Sequence, residues 1–255
     1  MATYASENQE LLRLLQFVFK IGDTVLTELA SDKMLSKYNN NFQWFLTKEK
    51  HEIVHLFQPK RICCACSPAV SNLKRKSINL KGIKLFEQLY KDNDPEDRRH
   101  IICVKGEYGP GCIHKYTSRN TSVDELEMSV LSFLLKNFAH LSSNKKNALD
   151  RITFYKNKFC NLYSSNCSTT VSLDTAWNEL VDALLNIMPL SSTLVVQHEI
   201  NNCRTRDLTK EDKRVLLGKI KTNIDELEFG INEVKESPEK IVMKEKAEQE
   251  KAKGK

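Results

Sequence analysis

Cysteine and histidine are the residue types in this sequence most suited to binding a metal ion, and they are concentrated in one segment. Five of the eight cysteines lie between residues 60 and 122. Thiolate and imidazole groups are ligands that suit Zn²⁺, and two short ligand pairs joined by a loop commonly build a tetrahedral site. We therefore predict a structural zinc ion held by the tightest set of ligands in this segment, which is Cys64, Cys66, Cys112 and His114.

Three further residues are alternative ligands for this site: Cys63, Cys103 and His55. The segment 60–122 also contains three of the six prolines, so we predict an irregular insertion with little core of its own. A bound zinc ion can keep such a segment folded, because its binding energy contributes to folding. The alternative is a loop with free cysteines.

The run from His51 to His55 has the HExxH spacing of zinc proteases. In those enzymes the two histidines share a helix face and bind zinc, and the glutamate, here Glu52, acts as general base. Lys48 and Lys50 place charges where such helices are apolar, and no third-ligand signature follows. The pattern therefore favours two exposed or core histidines, or one histidine that contributes to the cysteine site.

Apolar residues recur at intervals of three and four along most of the chain, which is typical of amphipathic helices. The chain has only 8 glycines and 6 prolines, whereas many short strands joined by tight turns would need more of them. We predict an all-α fold with helices over residues 7–30, 33–57 (interrupted at 38–41), 81–90, 123–141, 148–163, 173–187 and 209–234. Ser122, with Glu125 in a capping box, and Ser172 are predicted N-caps.

The pattern divides the chain into two parts. Residues 7–190 are predicted to form a helical bundle with the insertion at 60–122, and residues 205–255 a charged helical extension. Within this extension an apolar stripe approximates a heptad and predicts a partner helix, as in a coiled coil. Its members are Val215, Leu216, Ile220, Ile224, Leu227 and Ile231. The final residues, 235–255, are rich in lysine and glutamate and are expected to be solvated, helical or disordered.

The composition argues for a protein of the cytoplasm with no membrane contact. The N-terminal residues lack the basic and apolar regions of a signal peptide, and no stretch approaches ~18 uninterrupted apolar residues. In a reducing compartment the cysteines are expected to be free thiols or metal ligands. The net charge of +6 is a mild bias that is compatible with phosphate contacts.

Several motifs together resemble a known family, the HEPN domains (higher eukaryotes and prokaryotes nucleotide-binding). The resemblance is to the HEPN module of the animal DAZ-interacting zinc-finger ubiquitin ligase and of many invertebrate proteins, and it covers roughly residues 8–190. The matching pieces are His51-x-x-x-His55-Leu56, Cys63-Cys64-x-Cys66, the run 121–131 before a helix, the run 151–163, and a later helix with Trp177. The resemblance implies a helical bundle with a dimer face.

HEPN ribonucleases carry an arginine followed four to six residues later by a histidine. The family implies that the histidine helps to activate the 2′-hydroxyl group and that the arginine stabilises the phosphate. In this chain Lys156-Asn157 stands at the arginine position, and the histidine positions hold Asn161, Leu162 or Tyr163, none of which is a general base near neutral pH. The resemblance therefore implies a degenerate ribonuclease motif.

We therefore expect a non-catalytic HEPN-type interaction or dimerisation module, such as an intracellular adaptor or signalling component, and not an enzyme. Its partner would be a second copy or another protein, bound through the bundle and the C-terminal helix. The alternative is an RNA-binding module, and a residual ribonuclease is a weaker one. Candidate RNA or phosphate contacts are Arg151, Lys156, Asn157 and Lys158.

Overall fold

The computed structural model describes residues 2–57, 63, 65–66, 83–92, 103–104, 107–108, 113–165, 172–188 and 192–225. This part of the chain is mainly helical, which confirms the predicted all-α class. The helices are α1 (Ala2–Phe17), α2 (Asp23–Leu29), α3 (Phe42–Lys48), α4 (Lys50–Phe57), α5 (Ile83–Leu89), α6 (Met128–Phe138), α7 (Ser143–Ser165), α8 (Leu173–Ile187), α9 (Thr193–Thr205) and α10 (210–225).

The first predicted helix is part of a longer helical segment that runs from Ala2 to Leu35. Helix α1 continues through a π-helical turn, Val18–Gly22, into α2, and a second π-helical turn, Ala30–Leu35, follows. A π-helical turn adds a residue to the helical repeat and shifts the side chains around the axis. The predicted apolar stripe is nevertheless buried at Leu11, Leu14, Leu15, Val18, Ile21, Val25 and Leu29.

The predicted interruption at residues 38–41 is present and has a local cause. Asn39 and Asn40 adopt left-handed backbone conformations with φ of 53° and 55°, which asparagine tolerates better than most residues. The side chain of Asn41 then accepts a hydrogen bond of 2.9 Å from the Trp44 N–H and caps α3. The first helical segment therefore ends here, and α3 begins at Phe42.

Helices α7 and α8 pack along each other and against α1, with α6 alongside α7. The ring of Trp177 on α8 stacks on that of Phe17 on α1, with 4.7 Å between their centroids. The predicted N-cap at Ser172 is confirmed, since its hydroxyl oxygen accepts a hydrogen bond from the Thr175 N–H. The predicted capping box of Ser122 and Glu125 also forms, but it caps a short 3₁₀ turn, Val123–Glu125, ahead of α6.

The described parts of the insertion contain strands that the sequence did not predict. Strand β1 (Tyr90–Asp92) pairs antiparallel with β4 (Tyr116–Ser118), and β2 (Cys103–Val104) pairs with β3 (Glu107–Tyr108). We call the pair β1 and β4 the ribbon. The Tyr90 hydroxyl anchors it by donating a 2.7 Å hydrogen bond to the Leu46 carbonyl of α3.

The C-terminal helices pack on the bundle. Helix α9, which was not predicted, contacts α1 and buries Val196, Ile200 and Cys203. On α10, Leu216 and Ile220 from the predicted stripe lie in the same core, so the partner of this part of the stripe is the chain's own bundle. Leu227 and Ile231 lie outside the described residues. None of the described helices is long and apolar enough to cross a membrane.

A buried ion pair connects α7 to the start of α6. The side chain of Lys156 has no exposed surface, and its Nζ contacts a carboxylate oxygen of Glu127 and lies 3.0 Å from the Ser129 Oγ. Glu127 also caps α6 by accepting a 2.8 Å hydrogen bond from the Ser129 N–H. Burial alone would raise the pKa of Glu127, but Lys156 and Ser129 hold it below the ordinary value of 4.5.

We expect Lys156→Met to reduce the free energy of unfolding by about 3–5 kcal/mol, because it leaves the Glu127 carboxylate buried without its counter-charge. Lys156→Met combined with Glu127→Gln should recover more than half of this loss. Urea unfolding followed by circular dichroism measures both. The control is Lys136→Met, which removes a more exposed α6–α7 pair with Asp150 and should cost at most about 1 kcal/mol. Equal stabilities of the single and double variants would contradict the prediction.

The pH dependence gives a second measurement of the same pair. A carboxyl group whose pKa is lowered on folding contributes stability above its ordinary value, 4.5 for Glu127, and loses it as the pH falls through the lowered value. In Lys156→Met the lowering effect of Lys156 is lost while burial and the Ser129 hydrogen bonds remain, so the pKa of Glu127 is higher than in the parent and protonation relieves part of the penalty. The difference in stability between the parent and this variant should therefore shrink as the pH falls from the higher pKa of Glu127 in the variant to its lowered pKa in the parent, which lies below 4.5.

Candidate metal centre

Helix α4 places two histidines on one face. His51 and His55 are four residues apart, which is about one helical turn, and their rings lie edge to face with centroids 4.7 Å apart. His55 is 2% exposed, and His51 is partly exposed. Both imidazoles therefore point to the same side of α4, one from its first turn and one from its last.

A tight turn brings two cysteines to this side. The Cys66 N–H donates a 3.1 Å hydrogen bond to the Cys63 carbonyl, and the two Sγ atoms are 3.7 Å apart. Cys63 is 7% exposed, and Cys66 packs partly buried against the core. The turn therefore presents a pair of thiols to the pair of imidazoles.

The four side chains have the spacing of a tetrahedral site. The Nε2 atom of His55 is 3.2 Å from each Sγ atom, and the Nε2 atom of His51 is 3.5 Å from the Cys66 Sγ. With Zn–S bonds of about 2.3 Å and Zn–N bonds of about 2.0–2.1 Å, a tetrahedral ion would separate two sulfur ligands by about 3.8 Å and a sulfur from a nitrogen by about 3.6 Å. All four donor atoms lie within 4.8 Å of one another, so the cluster can hold a metal ion.

Burial and neighbouring groups change the pKa of the Cys63 thiol, and a carboxylate lies beside one of the histidines. Burial raises the pKa of the Cys63 thiol, hydrogen bonding by the Ala65 backbone lowers it, and Cys66 raises it again. At the other end, the His51 Nδ1 is 3.4 Å from a carboxylate oxygen of Glu52. A carboxylate beside the outer nitrogen of a histidine is the arrangement that orients the ring toward a metal.

Aromatic packing fixes the C-terminal end of α4. The ring of Phe57 lies 5.1 Å from the ring of Phe86 on α5 and 5.1 Å from that of Phe133 on α6. Phe86 also contacts Tyr90 and Tyr116 of the ribbon. The helix that carries both histidines is therefore held by packing that does not involve the cluster.

The cluster draws on several of the residues considered in the sequence. Cys66 of the predicted set is present, as are the alternatives Cys63 and His55, and His51 joins them from the HExxH run. His114 is exposed in a 3₁₀ turn and is not one of the four.

The other predicted ligands are not tested by the structure. Cys64 and Cys112 lie outside the described residues, and Cys103 lies in β2, where its side chain is not described. The sequence pattern that corresponds to the observed cluster is an HxxxH pair, His51 and His55, followed eight residues later by a CxxC pair, Cys63 and Cys66.

The four candidate RNA contacts do not form one surface group. Lys156 is buried against Glu127, and this corrects its interpretation as a phosphate contact, because it would have to leave a buried carboxylate to reach the surface. Asn157 is partly buried. Arg151 is exposed and 3.9 Å from Glu179, and the Lys158 ammonium lies 5.4 Å from the centroid of the Phe154 ring.

Comparison of the chain with protein-family models, with curated proteins and with solved structures gave no match. The resemblance to HEPN domains therefore stays a prediction from the motifs.

Two histidine variants distinguish the observed cluster from the ligand set predicted from sequence, because Cys66 is common to both. We expect His51→Ala to lower zinc affinity by more than the 10- to 100-fold that follows loss of a group that only orients a ligand. We expect His114→Ala to leave it unchanged. Competition titration with a chromogenic chelator measures both affinities. Loss of zinc affinity in His114→Ala with none in His51→Ala would replace the cluster by the original set.

Proposed function

We propose that this chain is a non-catalytic helical module of HEPN type, stabilised by a structural zinc ion, that acts by associating with a second copy of itself. The observation that carries the proposal is the cluster of His51, His55, Cys63 and Cys66. Two of its residues lie on α4, which is held by aromatic packing, and thiolate and imidazole donors are typical of structural zinc sites. Both observations support a structural role. The other parts of the proposal are supported by separate observations.

Zinc is the metal that this donor set favours. Two thiolates and two imidazoles in a tetrahedral arrangement are typical of structural zinc sites. A bound dication stabilises the thiolate form of Cys63 and Cys66, against the effect of burial on the Cys63 thiol. The four ligands come from α4 and from a turn, so the ion would fasten the turn to the helix.

The same donor set argues against a metalloprotease. A catalytic zinc site keeps one position open for water, whereas four protein ligands fill a tetrahedral shell. The carboxylate of Glu52, which would be the general base of an HExxH enzyme, lies beside the Nδ1 atom of His51, away from the metal-facing nitrogen. Glu52 therefore supports His51 and has no metal-bound water to activate.

The arrangement of α7 supports the loss of ribonuclease chemistry. Lys156, which stands at the arginine position of the HEPN motif, is buried and paired with Glu127. Its ammonium is therefore committed to the fold, and a phosphate would have to compete with the buried carboxylate. The histidine positions carry Asn161, Leu162 and Tyr163, which provide no base near neutral pH.

Two apolar side chains at the start of α9 support an association surface. Leu194 is 81% exposed and Val195 is 68% exposed, whereas Val196 next to them is buried. Adjacent aliphatic side chains with this exposure gain free energy when a partner covers them. A second copy of the chain presents the same pair, so a two-fold contact would cover both at once.

We expect the protein to dimerise and Leu194→Gln with Val195→Gln to raise the dissociation constant of the dimer at least ~10-fold, because each buried aliphatic side chain contributes about 1.5–3 kcal/mol. Sedimentation equilibrium over a range of concentrations measures the constant. The matched control is Phe154→Gln, which removes an exposed apolar side chain from α7 and should leave the dimer intact. A monomer at all concentrations, or an equal effect of the control, would refute association through α9.

Removal of the metal should loosen one region only. After treatment with a zinc chelator, or in Cys66→Ser, we expect limited proteolysis to cut at the turn that carries Cys63 and Cys66 at least ~10-fold faster, since the turn is no longer fastened to α4. Helices α6 to α8 should resist as before. Cys203→Ser, which alters a buried free cysteine outside the cluster, is the control. An unchanged cleavage rate after chelation would contradict a structural metal.

A further inference from the structure

A second polar site lies apart from the metal cluster. A cleft of about 740 Å³ opens between the ribbon, the residues that lead into α6, and α10. This volume is within the range of about 300–1,000 Å³ that is usual for sites binding small molecules. None of the four residues of the metal cluster lines it.

Two residues that line the cleft each have a buried polar atom without a hydrogen-bond partner among the residues that the structure describes. These groups are the Nε–H of Arg119 and the Oδ1 atom of Asn223, a residue that is only 3% exposed. Native proteins satisfy nearly all buried polar groups, so each exception needs an explanation such as a water molecule or a ligand. The two groups differ in chemistry, since one is a charged donor and the other an acceptor.

The carboxylates that line the cleft are mostly engaged already. Asp23 pairs with Lys219 at 2.7 Å, and Glu127 pairs with Lys156. Glu125 accepts hydrogen bonds from Thr121 and Ser122 in the capping box.

The guanidinium of Arg119 has no such counter-charge, because no ion pair to it occurs within the described part of the chain. The exposed lining residues Lys91 and Asp124 carry opposite charges. Glu125 also has no cationic partner within the described part of the chain, so the lining as a whole is not positive. The guanidinium of Arg119 is the group in it that is suited to a planar or tetrahedral oxyanion.

Part of the lining is apolar. Phe19, Leu126 and Met128 are buried side chains of the wall, and Val215 on α10 is half exposed. Gly218, one turn further along α10, also lines the cleft, and a Cβ atom built on it would meet nothing within 4 Å. Glycine inside a helix is unfavourable compared with alanine, and here it leaves open space in the cleft.

We infer that this cleft binds a small amphiphilic organic anion. The acid group contacts the Arg119 guanidinium, and an apolar body lies against Phe19, Met128 and Val215. Carboxylates, phosphates and sulfonates share this chemistry.

The test uses the full zinc-containing chain and the probe 8-anilinonaphthalene-1-sulfonate, an aromatic sulfonate with one N–H donor. Fluorescence titration should saturate at one probe per chain. Arg119→Met should weaken binding at least ~10-fold, because a charge-assisted hydrogen bond is lost. Gly218→Trp should abolish binding by filling the cleft. Arg214→Met, which removes a cation of α10 that pairs with Glu211 and does not line the cleft, should bind as the parent does.

Helical content and zinc content of each variant are measured alongside. If Gly218→Trp does not fold, Thr222→Phe fills the same cleft from the next turn of α10. Absence of saturable binding would overturn the inference, as would binding insensitive to Arg119→Met and to the cleft-filling variant. Such insensitive binding would place the probe on a surface such as the start of α9.

Competition with benzoate and with phenyl phosphate then identifies the acid group. Displacement by one but not the other assigns a carboxylate or a phosphate. Failure of both to displace the probe at saturating concentration would contradict the acid-group contact with Arg119.

Discussion

The buried ammonium of Lys156 is the constraint on which much of this arrangement depends. Removing a charge from water costs several kcal/mol, so the fold must supply a counter-charge at a fixed place. Glu127 supplies it and at the same time caps α6, which ties the start of α6 to the middle of α7. Glu127 also lines the cleft. The ion pair of Glu127 and Lys156 therefore determines both where α6 begins and which charge the start of α6 presents to the cleft.

The four side chains of the candidate metal centre are positioned mainly by local geometry. A spacing of four on a helix and of three in a turn already sets the distance within each pair, before any long-range contact forms. Folding then has to bring only one pair to the other, and aromatic packing around Phe57 fixes α4 for this purpose. A metal ion would add its binding energy to this arrangement and would hold the turn on α4.

Most of the fold could be predicted from the sequence because the helices bury one face each. The stripe from Leu11 to Leu29 and the cap at Ser172 are local signals that the structure confirms. Strands of two or three residues are too short to show the alternation of apolar and polar residues that is typical of strands, so the sequence did not predict the ribbon. The sequence did not predict helix α9. Its buried residues Val196, Ile200 and Cys203 have the helical spacings of four and three, but the exposed apolar residues Leu194 and Val195 next to them obscure this pattern.

The candidate sites were harder to predict, for physical reasons that differ. The position of Lys156 on α7, between the buried residues Ile152 and Phe159, already places it on the apolar face, but its charge suggested a surface position. The metal ligands depend on which pairs the tertiary structure brings together. Sequence spacing favoured the nearer C-x-C and C-x-H pairs, whereas the described cluster combines the HxxxH pair with Cys63 and Cys66.

The ribbon physically connects the metal cluster with the cleft. At one end, the 3₁₀ turn Ile113–Lys115 contacts α4, and Tyr116 packs on the aromatic group that holds this helix. At the other end, β4 leads directly to Arg119, whose backbone N–H donates a 2.8 Å hydrogen bond to the Leu89 carbonyl. The position of α4 therefore bears on the position of the guanidinium through a short, hydrogen-bonded segment.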